Sequence, residues 1–528
     1  MTAPAVHFKK EKAMKKINLI SGAAAAALAL TAFTTTAMAD EEAKPKRSLK
    51  GNMQVVYNQV PGEAASLGEM FTEGVWYGRL RANYFNWDWK EENYNNTTEK
   101  GNLDNHAFGV GGSLIYKTAR YAGVAATLGV YYTTNIMPME EDEIAGVKAG
   151  KDTFSRYEAR ANGNFSMLVP AEANIDVQLG KTNIKMGDQI FESVFTKSND
   201  TKMIPNTFRG VVVENKDISG VKLTAAYFTN QKLRDHTGMH DVITFGEKAD
   251  NDADTKENWN NNDDSAIHKG LTYANFKAAN KEVDHTLTIL SAQSKIGENL
   301  KADLSYLMLP EVLNSAVLEA HYTIKAGDTK IVPGIRYYKQ MDNGGGDIGG
   351  PSLKGTVNST NYKANGYTTG DSLDSSLTNV RVVIQPKGAM KYTIGYSAVE
   401  DAADIVAPWR GFPTGGFTRA MAQYNWNANT KTSMVQANAD LGKAGLIDNT
   451  TLMVRYAMQD FDDQKTTTQA DSNILHSDIV HKVAAVEGLE LKARVGLVTA
   501  KDDIKDKAGN TKTDVSYNEY RLEVNYLF

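Results

Sequence analysis

The chain has 528 residues, a formal net charge of −5, no cysteine and a mean hydropathy of −0.42. The mild acidity argues against a nucleic-acid partner, and the absence of cysteine removes a disulfide-stapled secreted fold. The polarity is too high for a helical membrane protein, and no stretch after residue 39 approaches the ~18 continuous apolar residues of a membrane helix.

In chain order, Lys15 and Lys16 precede an apolar run over 17–33, and Ala37-Met38-Ala39 supplies a small-residue cleavage pattern. These are the three parts of a secretory signal peptide. Residues 1–13 read as an upstream extension, 1–39 as leader, and Asp40 as the first mature residue. An exported chain without an apolar helix can cross a membrane only as a closed β-barrel, because every backbone polar group must be satisfied internally. Residues 40–528 are therefore expected to form one transmembrane antiparallel barrel. The charged lead-in over 40–50 leaves no room for a plug domain ahead of the first strand.

Strands are expected from period-two alternation. The first is expected at 53–60 and a clear one at 74–87, where Trp76, Leu80, Ala82 and Tyr84 oppose Arg79, Arg81 and Asn83. Others follow at 107–116, 122–132, 156–165, 174–179, 211–213 and 221–228. The later series runs over 271–276, 286–292, 300–309, 315–324, 329–339, 378–385, 389–398, 418–426, 434–441, 451–458, 474–483 and 489–498. The last strand, 514–528, places Tyr520, Leu522, Val524, Tyr526 and Phe528 on one face, with Glu519, Arg521, Glu523, Asn525 and Leu527 on the other. Tight turns such as Ala326-Gly327-Asp328 and Pro386-Lys387-Gly388 contrast with long polar connections at 340–376, 399–417 and 459–473. Short turns on one side and long loops on the other are the outer-membrane barrel pattern. The count points to about 18 strands, with 16 as the alternative, and the parity fails to close between 399 and 431.

In such a barrel the polar strand faces line the lumen. Arg79, Arg81, Arg160, Arg336, Arg381, Arg455, Arg494 and Arg521 all fall on them. A one-residue slip would turn each to lipid at a cost of roughly 2–4 kcal/mol near the midplane. Several guanidiniums at one constriction would steer carboxylates or phosphates. The plainer reading is a set of solvated lumen charges paired with Glu158, Glu319 or Glu523.

Three blocks resemble the OprD-type outer-membrane porins of Gram-negative bacteria: 179–187 with 199–210, 81–86, and 411–418, supported by 225–231. The terminal Tyr526 and Phe528 are similar to the signal read by the barrel assembly machinery. The resemblance implies an 18-stranded pore, often trimeric, embedded among lipid and lipopolysaccharide and narrowed by an inward third loop near 187–208. It adds Lys202 and Arg209 as constriction candidates beside the arginines above. It also implies passive passage of small hydrophilic solutes, among them carboxylates and basic amino acids. The family's acidic pocket has no residue-by-residue match here, and Lys202 stands where arginine is commoner.

Other chemistry is weaker. His236, His240, His268 and His285 fall in or beside a polar loop, read as surface residues because the spacing His236-x-x-x-His240 lacks a zinc protease's glutamate. The acidic runs at 140–143 and 250–264 are candidates for loop-bound calcium, without EF-hand spacing. The glycine-rich 344–350 lacks the strand-to-helix setting of a phosphate loop. No enzyme chemistry and no cofactor is expected. The competing function is a surface adhesin built on the same barrel.

Overall fold

The computed structural model describes residues 47–528 apart from 52, 59, 93–102, 138, 141–142, 145–146, 148–152, 201, 245–267, 410 and 422–423. The expected leader, Glu141 and Asp142 of the first acidic run, and the whole of the second run lie outside the described residues.

A closed antiparallel barrel of 18 strands forms the body of the molecule. A hairpin of β1 (Arg47–Leu49) and β2 (Val55–Tyr57) precedes it and stands outside the sheet. The first barrel strands are β3 (Val75–Trp89), β4 (Asn105–Lys117), β5 (Val124–Asn135), β6 (Ser166–Leu179), β7 (Thr182–Gln189), β8 (Thr207–Asn215) and β9 (Val221–Lys232). The short β10 (His240–Asp241) extends the edge of β9. Next come β11 (Leu287–Ile296), β12 (Leu300–Leu309) and β13 (Leu313–Tyr322), then the three-residue β14 (Ile324–Ala326), paired with β15 (Thr329–Asp342). The wall is completed by β16 (Ser375–Gln385), β17 (Met390–Val399), β18 (Lys431–Asp440), β19 (Thr450–Asp460), β20 (Ser472–Lys482), β21 (Leu489–Ala500) and β22 (Tyr517–Leu527). Closure is made by β22 on β3, with Val524 opposite Ala82.

The alternation has the expected physical cause. Leu80, Leu128, Leu168, Leu304, Val435 and Leu522 are exposed on the outer surface, a band that lipid would cover, while their neighbours in sequence point inward. On β22, Tyr520, Leu522, Val524 and Tyr526 are outward, and Glu519, Arg521, Glu523 and Asn525 are buried inside. Short connections close one end, for example at Gly180 and Gly327, where φ near +58° favours glycine. Among the described residues no helix is long and apolar enough to cross a membrane.

Several expected strands are absent. Residues 156–165 instead hold helix α2 (Arg156–Asn162), following α1 (Leu67–Thr72). Ser155 caps α2 by accepting from the Glu158 amide, and Gly163 ends it in the left-handed region, so local capping outweighs the apparent alternation. Residues 271–276 fall largely in helix α3 (Tyr273–Ala278), capped by Thr272 in the same way. The expected strand at 53–60 contributes only β2, outside the barrel, and the described residues of 418–426 form no strand. Conversely, β7 occupies a stretch to which the alternation assigned no strand. These changes restore parity, because the connection from 400 to 430 is a single long loop.

Inside the barrel, three long connections fold toward the axis and share one apolar core. Phe191 and Phe195 come from the 190–206 loop, Leu353 and Leu373 from 343–374, and Trp409 and Trp426 from 400–430. They pack on the inward faces of Phe208, Phe228, Leu309 and Tyr338. Burial of these large side chains at ~25 cal/mol per Å² is what draws otherwise polar loops into the lumen.

Candidate functional site

Two of these loops meet each other and the wall. The 190–206 loop is anchored to β3: Asp200 pairs with Arg79 and, at 3.0 Å, with Arg81. Asn83 donates to the Lys202 carbonyl at 2.7 Å. All these side chains are buried, so the carboxylate of Asp200 neutralises two guanidiniums in a low-dielectric contact where an unpaired charge would be costly.

The 400–430 loop meets the first at Gly411. A Cβ there would lie 2.0 Å from the Phe195 carbonyl oxygen, so only glycine lets the two backbones approach. The Lys197 amide donates to the Trp409 carbonyl at 3.0 Å beside that contact. The loop then delivers Phe417 between two wall arginines, with the guanidinium carbons of Arg336 and Arg381 at 4.8 and 4.5 Å from its ring centroid. Arg336 also donates to the Pro413 carbonyl at 2.8 Å and pairs with Glu319, and Arg381 donates to the Gly416 carbonyl. Further along, the Arg419 carbonyl accepts from Arg455, which also donates to Gln436 at 2.8 Å.

A cavity of about 1350 Å³ remains. Its lining holds six arginines, Arg234, Arg336, Arg419, Arg455, Arg494 and Arg521, with three lysines, against four carboxylates. Glu319 is taken by Arg336 and Asp478 by Arg494 at 2.9 Å, so part of the negative charge is already spoken for. Arg419 differs: its guanidinium stacks on Phe412 at 3.4 Å and near Tyr424 at 5.7 Å, and no carboxylate pairs with it among the described residues. Burial, together with the neighbouring Arg234, Arg521 and Arg455, pulls its pKa down to about 10, which leaves it charged at neutral pH.

The structure thus sorts the sequence candidates. Arg336, Arg455 and Arg494 line the cavity, and Arg381 lies just behind Phe417. Arg79 and Arg81 point inward but are consumed by Asp200 and have no exposure to the lumen. Three candidates need correction. Arg160 sits on α2 rather than on the wall. Lys202 is buried beneath its loop, 3.3 Å from Asp235. Arg209 shares the outer face of its strand with Val211 and Val213 and reaches Asp188 at 2.6 Å there, its side chain half exposed. Sequence reasoning missed Arg234, because loop residues carry no alternation to mark their direction, and Arg419, because it fell within a strand expected at 418–426. The histidines expected on the surface are instead buried: His236 and His240 are 2.8 Å apart, nitrogen to nitrogen, and His285 meets Asp241 at 3.0 Å. Among the described residues no group of three acidic or histidine side chains is placed to hold a metal ion.

A family model described as "outer membrane porin, OprD family" matches residues 148–528. OccAB1 of Acinetobacter baumannii is similar in structure, with a TM-score of 0.64 at 13% identity over 87% of this chain and 97% of that one. OccK1 (OpdK) of Pseudomonas aeruginosa aligns with a TM-score of 0.60 at 14% identity, covering 87% of this chain and 99% of that one. A BenF-like porin from Pseudomonas fluorescens Pf-5 gives 0.61 at 15% identity over the same shares. At these identities the likeness speaks to the fold. A search of curated protein sequences found no match.

Proposed function

The chain belongs to the OprD family of outer membrane porins, and on that premise we propose that its pore favours small anionic solutes, carboxylates foremost. The protein is an outer-membrane channel, and the adhesin reading is not favoured. The observation that carries the proposal is Arg419: a charged guanidinium held by the 400–430 loop at the cavity, flanked by Arg455, Arg234 and Arg521 and matched by no carboxylate among the described residues. A planar guanidinium presents two parallel donors that a carboxylate matches, and several in a confined, partly desolvated passage raise the local anion concentration.

Passage is passive and draws on no cofactor or catalytic step. OpdK of Pseudomonas aeruginosa has been crystallised with vanillate, a carboxylate, which supports the same solute class here. Export through the leader ending at Ala39, assembly guided by Tyr526 and Phe528, contact with lipopolysaccharide and a trimeric state complete the reading.

The test is a single-channel recording in a planar bilayer under a salt gradient. Ohmic current with a reversal potential on the anion side is expected, moving toward zero in Arg419→Gln. A cation-side reversal potential in the unaltered channel would overturn the proposal.

A further inference from the structure

The segment ahead of the barrel holds a second feature of the passage. Strands β1 and β2 pair with Arg47 opposite Tyr57, Ser48 opposite Val56 and Leu49 opposite Val55. Their turn is closed by hydrogen bonds from the Lys50 amide to the Gln54 carbonyl at 2.9 Å and from the Met53 amide to the Lys50 carbonyl at 2.8 Å. Met53 adopts φ of +70°, a left-handed conformation that a side chain enters only when its surroundings hold it there.

Those surroundings are the inside of the barrel at the short-turn end. Tyr57 stacks on Tyr77 with ring centroids 5.4 Å apart, and Arg47 donates to the Leu527 carbonyl at 3.3 Å, so the hairpin base rests on β3 and β22 at the rim. Its tip reaches deeper. Met53 is 3% exposed, its sulfur 4.0 Å from the Lys492 ammonium, and its carbonyl accepts from Arg79 at 2.6 Å. Gly51 lines the same cavity as the wall arginines. Lys50, next to Gly51, is exposed, and its ammonium donates to the Gln54 side-chain oxygen at 3.2 Å across the turn.

We infer that the 47–57 hairpin is a second constriction element of the channel, inserted from the short-turn end, with Gly51 and Lys50 bordering the solute path. Arg79 joins it to the first constriction, since one guanidinium holds both the Met53 carbonyl and the Asp200 carboxylate. The two narrowings, one from each end, therefore share a fastening on β3. A solute that has passed the arginine wall meets the Lys50 ammonium before it leaves. The inference rests on the channel reading above.

Gly51 makes it testable, because a Cβ there meets nothing within 4 Å and the chain has no native cysteine. Gly51→Cys is recorded in a bilayer before and after a small thiol-specific sulfonate reagent, and separately after its trimethylammonium counterpart, with complete modification checked by mass. We expect each reagent to lower single-channel conductance by a third or more, and the two to move the reversal potential in opposite directions. Gly62→Cys, exposed and outside the cavity lining, serves as the control and is expected to stay unchanged. A fully modified Gly51→Cys channel with unaltered current and reversal potential would overturn the inference. Removing residues 47–57 gives an independent reading: conductance should rise, and an unchanged conductance from a heat-modifiable barrel would count against it equally. The reversal potential of the unmodified channel tests the anion preference and thiol modification of Gly51→Cys tests the hairpin, so the two ideas fail separately.

Discussion

Arg494 and Arg521 stand directly opposite each other on adjacent strands, both pointing into the lumen. Like charges in that position work against strand pairing by roughly 0.2–1 kcal/mol. The arrangement persists because each guanidinium turns to a different carboxylate: Arg494 to Asp478 at 2.9 Å, and Arg521 to Glu519 on its own strand. Arg521 also lies 5.0 Å over the Phe85 ring. Two positive groups are thereby held side by side where a solute passes.

Neutralising one of them exposes what it was covering. Arg494→Gln should reduce anion preference more than Arg419→Gln, because it removes a cation and also releases Asp478, whose remaining partner is His476 at 2.6 Å. Adding Asp478→Asn to Arg494→Gln should return most of the difference. Reversal potentials of the two single variants and the double variant form the cycle that separates the terms. Equal shifts in Arg494→Gln and Arg419→Gln would contradict it.

Asp200 fastens the first inward loop. Asp200→Ala leaves Arg79 and Arg81 buried beside no carboxylate of that loop, and breaking a buried pair in this way costs about 3–5 kcal/mol. The variant should lose heat resistance in a gel-shift series and show larger, noisier single-channel currents, as the 190–206 loop leaves the wall. Asp200→Asn, which keeps the shape but not the charge, should fall between.

Arg209 provides the opposite case. It shares the outer face with Val211 and pairs with Asp188 there, so Arg209→Ala should leave conductance and reversal potential within error of the unaltered channel. A selectivity shift as large as that of Arg419→Gln would mean that Arg209 reaches the lumen.

His268 carries a pH dependence. It is fully buried between two loops, accepting the Gly270 amide at Nδ1 and donating from Nε2 to the Gly350 carbonyl, a pattern that requires the neutral ring. Burial lowers its pKa from 6.5 to about 4. In the unfolded segment the ring takes up a proton near 6.5 that the folded one refuses, so stability of this packing is full above that value and falls as pH drops toward 4. Limited proteolysis of the detergent-folded barrel should show faster cleavage in the loops around 268 and 350 at pH 4.5 than at pH 7.5. His268→Gln should remove that difference.

The barrel was legible because alternation is a local property. A residue on a membrane-spanning strand faces either lipid or water, so Leu522 and Glu523 declare their sides by chemistry alone, and the 514–528 stretch reads correctly from the chain. The same rule misassigned 156–165, where a Ser155 cap and Gly163 stop make a helix out of residues that also alternate, and 418–426, where an inward loop mimics a strand. The blocks at 81–86, 199–210 and 411–418 were visible as separate words. That Arg81 meets Asp200, and that Gly411 meets Phe195, is a fact of tertiary structure, since closing the barrel brings together segments more than a hundred residues apart.

The sequence by itself determined the membrane-spanning class and which face of each regular strand meets water, because these follow from hydropathy at fixed spacing. Only the tertiary structure decided which arginines remain available to a solute. Arg79 and Arg81 lie on the same polar face as Arg336 and Arg494 do on theirs, and nothing in their local pattern distinguishes them. What separates them is a carboxylate 119 residues from Arg81, brought there by a loop whose apolar side chains found their burial inside the barrel.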